Sequence, residues 1–172
     1  MRLPWEERRQ LLGELQLGGP HWQTVSYSVG GGAALLAASR EHGIEGLIAK
    51  RLGARYEPGK RSRSWLKVKN WDQRELVSGG YVPTPAGGIE ALLLGELAAG
   101  ELRYVGRVDF GLRRDLLQAL ALIACEQPPF VGVQAQRGVH YVEPRLVAEV
   151  QCLAGVAGLR HAVLRGIRLD ES

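Results

Sequence analysis

The chain has 172 residues, of which 45% are apolar and 23% are charged, and its formal net charge is +4. These proportions are typical of a globular protein with one domain or two small ones. Cys125 and Cys152 form no CxxC pair, which indicates a reducing compartment and argues against a disulfide framework or a zinc site. The N-terminus has no apolar run after its arginines, and the longest apolar stretch, Leu116–Cys125, is too short to cross a bilayer. We therefore expect a cytoplasmic protein with no membrane partner.

The N-terminal third predicts two helices. Leu3–Leu15 has Pro4 at its start and acidic residues in its first turn, both favoured at helix N-termini. Thr24–Val29 alternates and predicts a strand. Ala33–His42 predicts a second helix that ends at Gly43 in a left-handed conformation. Between them, Gly30–Gly32 is not followed by Gly-Lys-Ser/Thr, so we interpret it as a loop and not as a phosphate loop.

A β-hairpin is predicted next. Its strands are Glu45–Leu52 and Ser64–Lys69, joined through a turn at Glu57–Lys60. Alternation places Trp65, Lys67 and Lys69 on one face, with the two lysines about 7 Å apart along the strand. Like charges so close repel each other unless an anion lies between them. A phosphate is the natural candidate, and Glu45 is available to hold a divalent cation; the alternative is a solvated lysine face.

The positive charge is concentrated in one segment. From Lys50 to Arg74 there are nine Lys or Arg residues and two acidic residues, a local net charge of +7. The rest of the chain therefore sums to −3. Such a patch is typical of a protein that binds a polyanion.

The second half of the chain is rich in predicted strands. We place a domain boundary between residues 71 and 72. The predicted elements, in order, are strands Glu75–Val82, Glu90–Leu97 and Leu102–Val108, a helix Arg113–Cys125, and strands Leu146–Cys152 and Leu159–Arg168. Three strands, one helix and two strands is the order of an oligonucleotide-binding (OB) barrel.

Several segments resemble a known family. Glu45–Lys50 (EGLIAK) and Ser64–Lys69 (SWLKVK) resemble the fourth and fifth signature motifs of ATP-dependent DNA ligases. Further segments are similar to the ligase module of bacterial non-homologous end-joining enzymes: Tyr56–Ser62, Leu76–Tyr81, Arg103–Val108 and Val142–Val150. The resemblance covers nearly the whole chain.

The resemblance implies a fold and a function. Residues 1–71 are expected to form an α+β remnant of the nucleotidyltransferase domain, and residues 72–172 a five-stranded OB-fold β-barrel with one helix. The expected activity is the joining of nicked or broken double-stranded DNA in repair. In that reaction AMP passes from ATP to a lysine and then to a 5′-phosphate, which the 3′-hydroxyl attacks.

The resemblance also implies roles for individual residues. Lys67 and Lys69 would be catalytic and contact the α-phosphate, and Glu45 would hold Mg²⁺ or Mn²⁺. Arg168 would contact the nucleotide. Strict alternation puts Lys50 on the face opposite Glu45, so Lys50 reaches the nucleotide pocket only if the strand bulges or ends between the two. The DNA backbone would be bound by exposed cations between the motifs, namely Arg51, Arg55, Lys60, Arg61 and Arg63.

The chain also departs from the family pattern. The family's nucleophile lies in a Lys-x-Asp-Gly motif, and none of the four lysines here is followed by x-Asp-Gly. The closing Arg-x-Asp-Lys motif reads Arg168–Glu171, with a carboxylate in place of the lysine. Asp109–Leu112 replaces a Gly-Thr-Gly-Phe run. We therefore expect a C-terminal ligase portion that does not adenylate itself.

Three interpretations stay open. The chain is a fragment of a ligase or half of a split one, and another chain supplies the missing N-terminal half. Alternatively it is a non-catalytic nucleic-acid-binding module. In the third interpretation it is an assembly partner whose exposed apolar surface and strand edge favour homo-oligomers.

Overall fold

The computed structural model of the protein describes residues 2–155 and 158–169. The described chain divides into two compact units, the first ending at Asn70 and the second beginning at Trp71. This division lies one residue before the boundary expected from the sequence. No helix in the described part of the chain is long and apolar enough to span a bilayer.

The first unit combines two helices with two small antiparallel sheets. Its elements are α1 (Trp5–Glu14), β1 (Gly18–Gly19), β2 (Trp22–Gln23), α2 (Gly32–Glu41), β3 (Gly46–Lys50) and β4 (Trp65–Lys69). Strand β1 pairs with β2, and β3 pairs with β4. Both predicted helices are present within two residues of their expected ends, and Gly43 has the expected left-handed φ of 64°.

The strand predicted at Thr24–Val29 is wrong. Residues 24–28 have no regular secondary structure and Val29 lies in a bend, whereas Trp22–Gln23 pairs with Gly18–Gly19. An alternating sequence pattern indicates only on which side of the backbone each side chain lies. It does not reveal whether a neighbouring strand is present to complete the ladder.

Helix α1 is attached to the loop between β3 and β4. The backbone N–H groups of Trp5 and Glu6 both donate to the Leu52 carbonyl, at 3.0 and 3.3 Å. These contacts satisfy two of the donors that every helix N-terminus leaves without an intrahelical partner. The Arg8 guanidinium adds a bond to the Ala54 carbonyl at 3.4 Å. Helix α1 is therefore held to this loop by backbone acceptors.

A glycine sets the spacing of β3 and β4. Gly46 has a φ of 144°, and a Cβ built on it would lie 2.1 Å from the Val68 carbonyl oxygen. Only a residue without a Cβ fits this approach. In the register of the hairpin, Gly46 is opposite Lys69 and Lys50 is opposite Trp65.

The second unit is a strongly curved antiparallel sheet with one helix. Its elements are β5 (Trp71–Pro83), β6 (Ile89–Ala98), β7 (Glu101–Val108), α3 (Leu116–Ala121), β8 (Ala124–Cys125), β9 (His140–Val142), β10 (Leu146–Leu153) and β11 (Val163–Leu169). The strand order is β11-β10-β5-β6-β7. A parallel bridge between Phe110 and Val163 brings the end of β7 to β11 and closes the barrel. The predicted OB fold is confirmed.

Two apolar clusters lie on opposite faces of β5. Leu76 belongs to the larger cluster, which includes Leu116 and Leu120 of α3, and its neighbour Val77 belongs to the smaller one. Phe130 and Tyr141 cover the smaller cluster, which also contains Val77, Leu102 and Val147. The segment between α3 and β10 therefore packs against a face of the sheet that the larger cluster leaves open.

The predicted helix Arg113–Cys125 is too long at both ends. Helix α3 has six residues, and Ala124 and Cys125 pair with Val142 and Tyr141 in the β8–β9 ladder. Ile123 is part of the apolar spacing that predicted the longer helix. It is buried, but it lies beyond the last residue of α3. Cys152 is buried, and burial raises the pKa of its thiol, whereas Cys125 is only partly buried.

We expect Gly46→Ala to disrupt the β3–β4 hairpin. The new Cβ must push β4 away, and the backbone must also leave a φ that alanine rarely adopts, at a cost of about 2 kcal/mol or more. Hydrogen exchange of the Leu47–Lys50 amides measures the effect. Gly53→Ala is the matched control, because a Cβ at Gly53 meets nothing within 4 Å. Equal protection in the two variants would contradict the close approach.

Candidate nucleotide and DNA site

The lysines of the hairpin share one face. Residues directly opposite each other in an antiparallel pair project to the same side. The register pairs Lys50 with Trp65, Ile48 with Lys67 and Gly46 with Lys69. We call this side the lysine face; it comprises Gly46, Ile48, Lys50, Trp65, Lys67 and Lys69. Lys50 and Lys67 are exposed, and Lys69 is partly buried.

Lys50 therefore lies on the same face as Lys67 and Lys69. Its ammonium nitrogen is 4.3 Å from the centroid of the Trp65 ring. Glu45 precedes β3 and is partly buried. Strand β3 begins at Gly46, so Glu45 lies just outside the strand to which strict alternation applies.

Asn70 anchors the end of the hairpin at which Glu45 lies. Its backbone N–H donates to the Glu45 carbonyl at 2.8 Å, and its side-chain amide donates to Ser39 and to the Ile44 carbonyl, both at 2.8 Å. The amide oxygen accepts a bond from Arg40 at 3.1 Å. Asn70 is fully buried. Because the amide of a buried asparagine is costly to leave unpaired, this network fixes α2 and Glu45 relative to β4.

Sequence reasoning missed the role of Asn70. In the sequence Asn70 is a single polar residue beside the expected domain boundary. The available signal is its place directly after the predicted strand Ser64–Lys69. A single polar residue there does not distinguish a linker from a buried anchor.

The five cations expected to bind DNA lie in the loop 51–64 between β3 and β4. All five are exposed: Arg51, Arg55, Lys60, Arg61 and Arg63. The predicted turn is present, with Gly59 at a φ of 72° and the Lys60 N–H donating to the Glu57 carbonyl. The Lys60 ammonium also pairs with the Glu57 carboxylate at 3.3 Å. The hairpin thus combines a face with three lysines and a basic loop.

Arg168 lies in the second unit, on β11. Its guanidinium donates to the Glu75 carboxylate of β5 at 3.0 Å, and both side chains are at least half exposed. Asp170 and Glu171, the altered part of the closing motif, lie outside the described residues. Of the predicted nucleotide-binding residues, the hairpin brings together Lys50, Lys67 and Lys69.

The donor set limits what kind of cation this site holds. The described residues contain no group of three His, Cys, Asp or Glu side chains that could hold a metal ion. Magnesium, however, is commonly bound through one or two carboxylates together with water and substrate phosphates. A single carboxylate, Glu45, next to a strand that carries lysines would fit that second kind of site. It does not fit an ion enclosed by protein ligands alone.

Comparisons with known proteins agree with this geometry. Residues 1–69 match the family described as ATP dependent DNA ligase domain, and residues 85–171 match the ATP dependent DNA ligase C terminal region. The chain is 36% identical to the multifunctional non-homologous end joining DNA repair protein LigD of Mycobacterium tuberculosis, covering 97% of this chain and 24% of that protein. It is 35% identical to LigD of Pseudomonas aeruginosa, covering 80% of this chain and 18% of that protein.

Solved structures extend the similarity to the fold. The ligase domain from M. tuberculosis LigD is 36% identical, with a TM-score of 0.55, over 98% of this chain and 58% of that domain. A mycobacterial DNA ligase D complexed with ATP is 38% identical, with a TM-score of 0.51 and the same coverage. The chain thus spans about a quarter of the length of the mycobacterial LigD protein. By the two family matches, which together include all but the segment 70–84 and the last residue, the chain belongs to the ATP-dependent DNA ligases.

Proposed function

We propose that this chain forms the phosphate-binding end of a nucleotidyltransferase pocket and the OB barrel of a ligase that seals breaks in double-stranded DNA. The observation that carries the proposal is the lysine face, on which Lys50, Lys67 and Lys69 lie together. Adjacent ammonium groups repel one another, and a bound phosphate relieves that repulsion. The nucleotide would be ATP, as in the family as a whole, and the expected setting is the cytoplasm.

Each step of ligation displaces a group at phosphorus. First, a lysine nitrogen attacks the α-phosphorus of ATP and pyrophosphate leaves. The AMP then passes to the 5′-phosphate of a nick. Finally the 3′-hydroxyl attacks that phosphate, the phosphodiester bond forms and AMP leaves. Lys67 and Lys69 would stabilise the negative charge that develops on the phosphate oxygens.

A divalent cation, Mg²⁺ or Mn²⁺, would be held by Glu45 and by the phosphate itself. When bound, it adds positive charge next to the α-phosphate oxygens. Asn70 would serve this arrangement indirectly, since its backbone bond to the Glu45 carbonyl fixes the chain from which the carboxylate extends. The Lys50 ammonium would contact a phosphate from the same face as Lys67.

The adenylated lysine itself would come from another part of the ligase. In residues 2–70 the only buried apolar side chain is Ala54, whereas Leu11, Leu66 and Val68 are 50, 55 and 37% exposed. The second unit, by contrast, has two apolar clusters. An apolar surface of this extent marks an interface. We infer that it packs against the adenine-binding half that the resemblance expects; the chain covers 58% of the M. tuberculosis ligase domain.

We expect Lys67→Ala to slow sealing of a nick that already carries AMP. Loss of one group that stabilises developing charge costs about 100- to 1,000-fold in rate. The assay uses the chain combined with the uncovered part of the M. tuberculosis ligase domain. Arg114→Ala, which removes an exposed cation of the second unit, should leave the rate unchanged. Equal rates for wild type and Lys67→Ala would refute the catalytic role.

The basic loop should determine the salt dependence of DNA binding. Replacing Arg61 and Arg63 together with alanine should lower the slope of log K against log[salt] by about two, since each phosphate contact contributes about 0.9. Filter binding of nicked duplex at several salt concentrations measures the slope. The double lysine variant at the same positions keeps both charges and should keep the slope. An unchanged slope in the alanine variant would place the DNA elsewhere.

The exposed side of α1 should be needed for association with the missing half. Leu11→Glu keeps helix propensity but places a charge at the interface, and we expect it to weaken association about tenfold or more. Titration monitored by size-exclusion chromatography measures this. The control is Leu122→Glu in the second unit, where the side chain is 87% exposed. A mass well above 18.8 kDa for the chain alone would instead indicate a homo-oligomer.

A further inference from the structure

A stack of two aromatic rings with a cation at each end runs from helix α1 to Lys50. The Arg8 guanidinium carbon lies 5.7 Å from the centroid of the Tyr56 ring. The Tyr56 and Trp65 rings are 5.9 Å apart at a tilt of 51°. The Lys50 ammonium nitrogen lies 4.3 Å from the Trp65 centroid. Four side chains, one each from α1, β3, the β3–β4 loop and β4, are therefore joined by successive contacts.

The far end of the stack is attached to backbone. Arg8 donates through Nε to the Leu3 carbonyl at 3.1 Å and through a terminal nitrogen to the Ala54 carbonyl at 3.4 Å. The Trp65 end is fixed differently, because Trp65 is directly opposite Lys50 in the β3–β4 register. The Tyr56 ring therefore lies between Arg8 and Trp65, and the Trp65 ring presents its face to the Lys50 ammonium.

An aromatic ring orients a cation without neutralising it. The attraction comes from the ring quadrupole, and the ring carries no net charge. Lys60 shows the contrast within the same hairpin, since its ammonium pairs with the Glu57 carboxylate, which cancels its charge locally. Lys50 over Trp65 keeps its full charge and keeps N–H donors for an oxygen ligand. The arrangement suits a lysine that must be in place before a phosphate arrives.

We propose that Trp65 is a positioning residue for Lys50, and that the stack from Arg8 through Tyr56 holds the Trp65 ring for that purpose. This inference rests on the proposed function, in which Lys50 contacts a phosphate on the lysine face. A free lysine side chain has several rotatable bonds and loses their freedom when it binds. Trp65 reduces that loss by holding the ammonium on the lysine face beforehand.

One arm of the test detects the contact itself. Protons above an aromatic ring resonate upfield, so in lysine-labelled protein the Lys50 ε-methylene signal should lie upfield of the Lys60 signal. Trp65→Leu should abolish the displacement, and Trp65→Phe should keep part of it. Trp22→Leu, which removes another exposed tryptophan of the first unit, should leave it unchanged. Coincident Lys50 and Lys60 signals in the wild type would overturn the proposal.

The other arm measures what the contact does. The probe is a duplex with a 5′-adenylylated nick, and a double-mutant cycle combines Trp65→Leu with Lys50→Ala. Trp65→Leu should weaken binding about two- to fivefold, the range expected for an exposed cation–ring contact, and Trp65→Phe should restore most of it. The double variant should bind no more weakly than Lys50→Ala alone. Strictly additive losses would show that Trp65 acts independently of Lys50 and would overturn the proposal.

The two arms separate this inference from the proposed function. If the wild-type chain binds the adenylylated nick no better than an intact duplex, the proposed function fails. The Lys50 signal then still decides whether Trp65 holds the ammonium. If the wild-type chain binds the adenylylated nick but its Lys50 ε-methylene signal is not shifted upfield, the positioning role of Trp65 fails and the proposed function stands.

Discussion

The candidate site depends on how closely the backbones of β3 and β4 approach each other. At Gly46 there is no room for a Cβ beside the Val68 carbonyl, and one residue beyond β4 the buried Asn70 amide uses its bonding groups to hold α2 and the chain around Glu45. These two constraints act at the same end of the hairpin. They are compatible with the register that puts Lys50, Lys67 and Lys69 on one face, and no apolar core lies beneath the strands in residues 2–70.

The two units have very different interiors. The second unit buries apolar residues on both faces of β5, while in residues 2–70 nearly every large apolar side chain is partly or largely exposed. Hydrogen bonds and ring contacts hold the first unit together: two helix N–H groups on the Leu52 carbonyl, the Asn70 network and the stack that ends at Lys50. Such contacts are directional and position groups precisely, but they contribute less free energy than a buried core. This is the state expected if the first unit is, as proposed, one half of a pocket whose other half brings the remaining apolar surface.

Much of the fold follows from local patterns. The barrel strands were predictable because each alternates over several residues between turns that contain glycine or proline, and helix α2 because Gly43 adopts the left-handed conformation that ends it. The short pairs β1–β2 and β8–β9 were not predictable, since two or three residues carry no period. The smaller apolar cluster was missed for a related reason. Phe130 packs against Leu102 and Val77, and nothing in the local sequence of the 126–139 segment indicates which surface it covers.

The sequence by itself determined the family, the two motif strands, the turn at Gly59 and the concentration of positive charge, because these are properties of residue type and spacing. Tertiary structure decided which side chains meet. It placed Lys50 on the face of Lys67 through cross-strand register, joined Arg168 to Glu75, and made Asn70, which the sequence places beside a domain boundary, a buried anchor. The physical reason is that register, burial and partner choice depend on contacts between residues distant in the chain, whereas periodicity and charge are local.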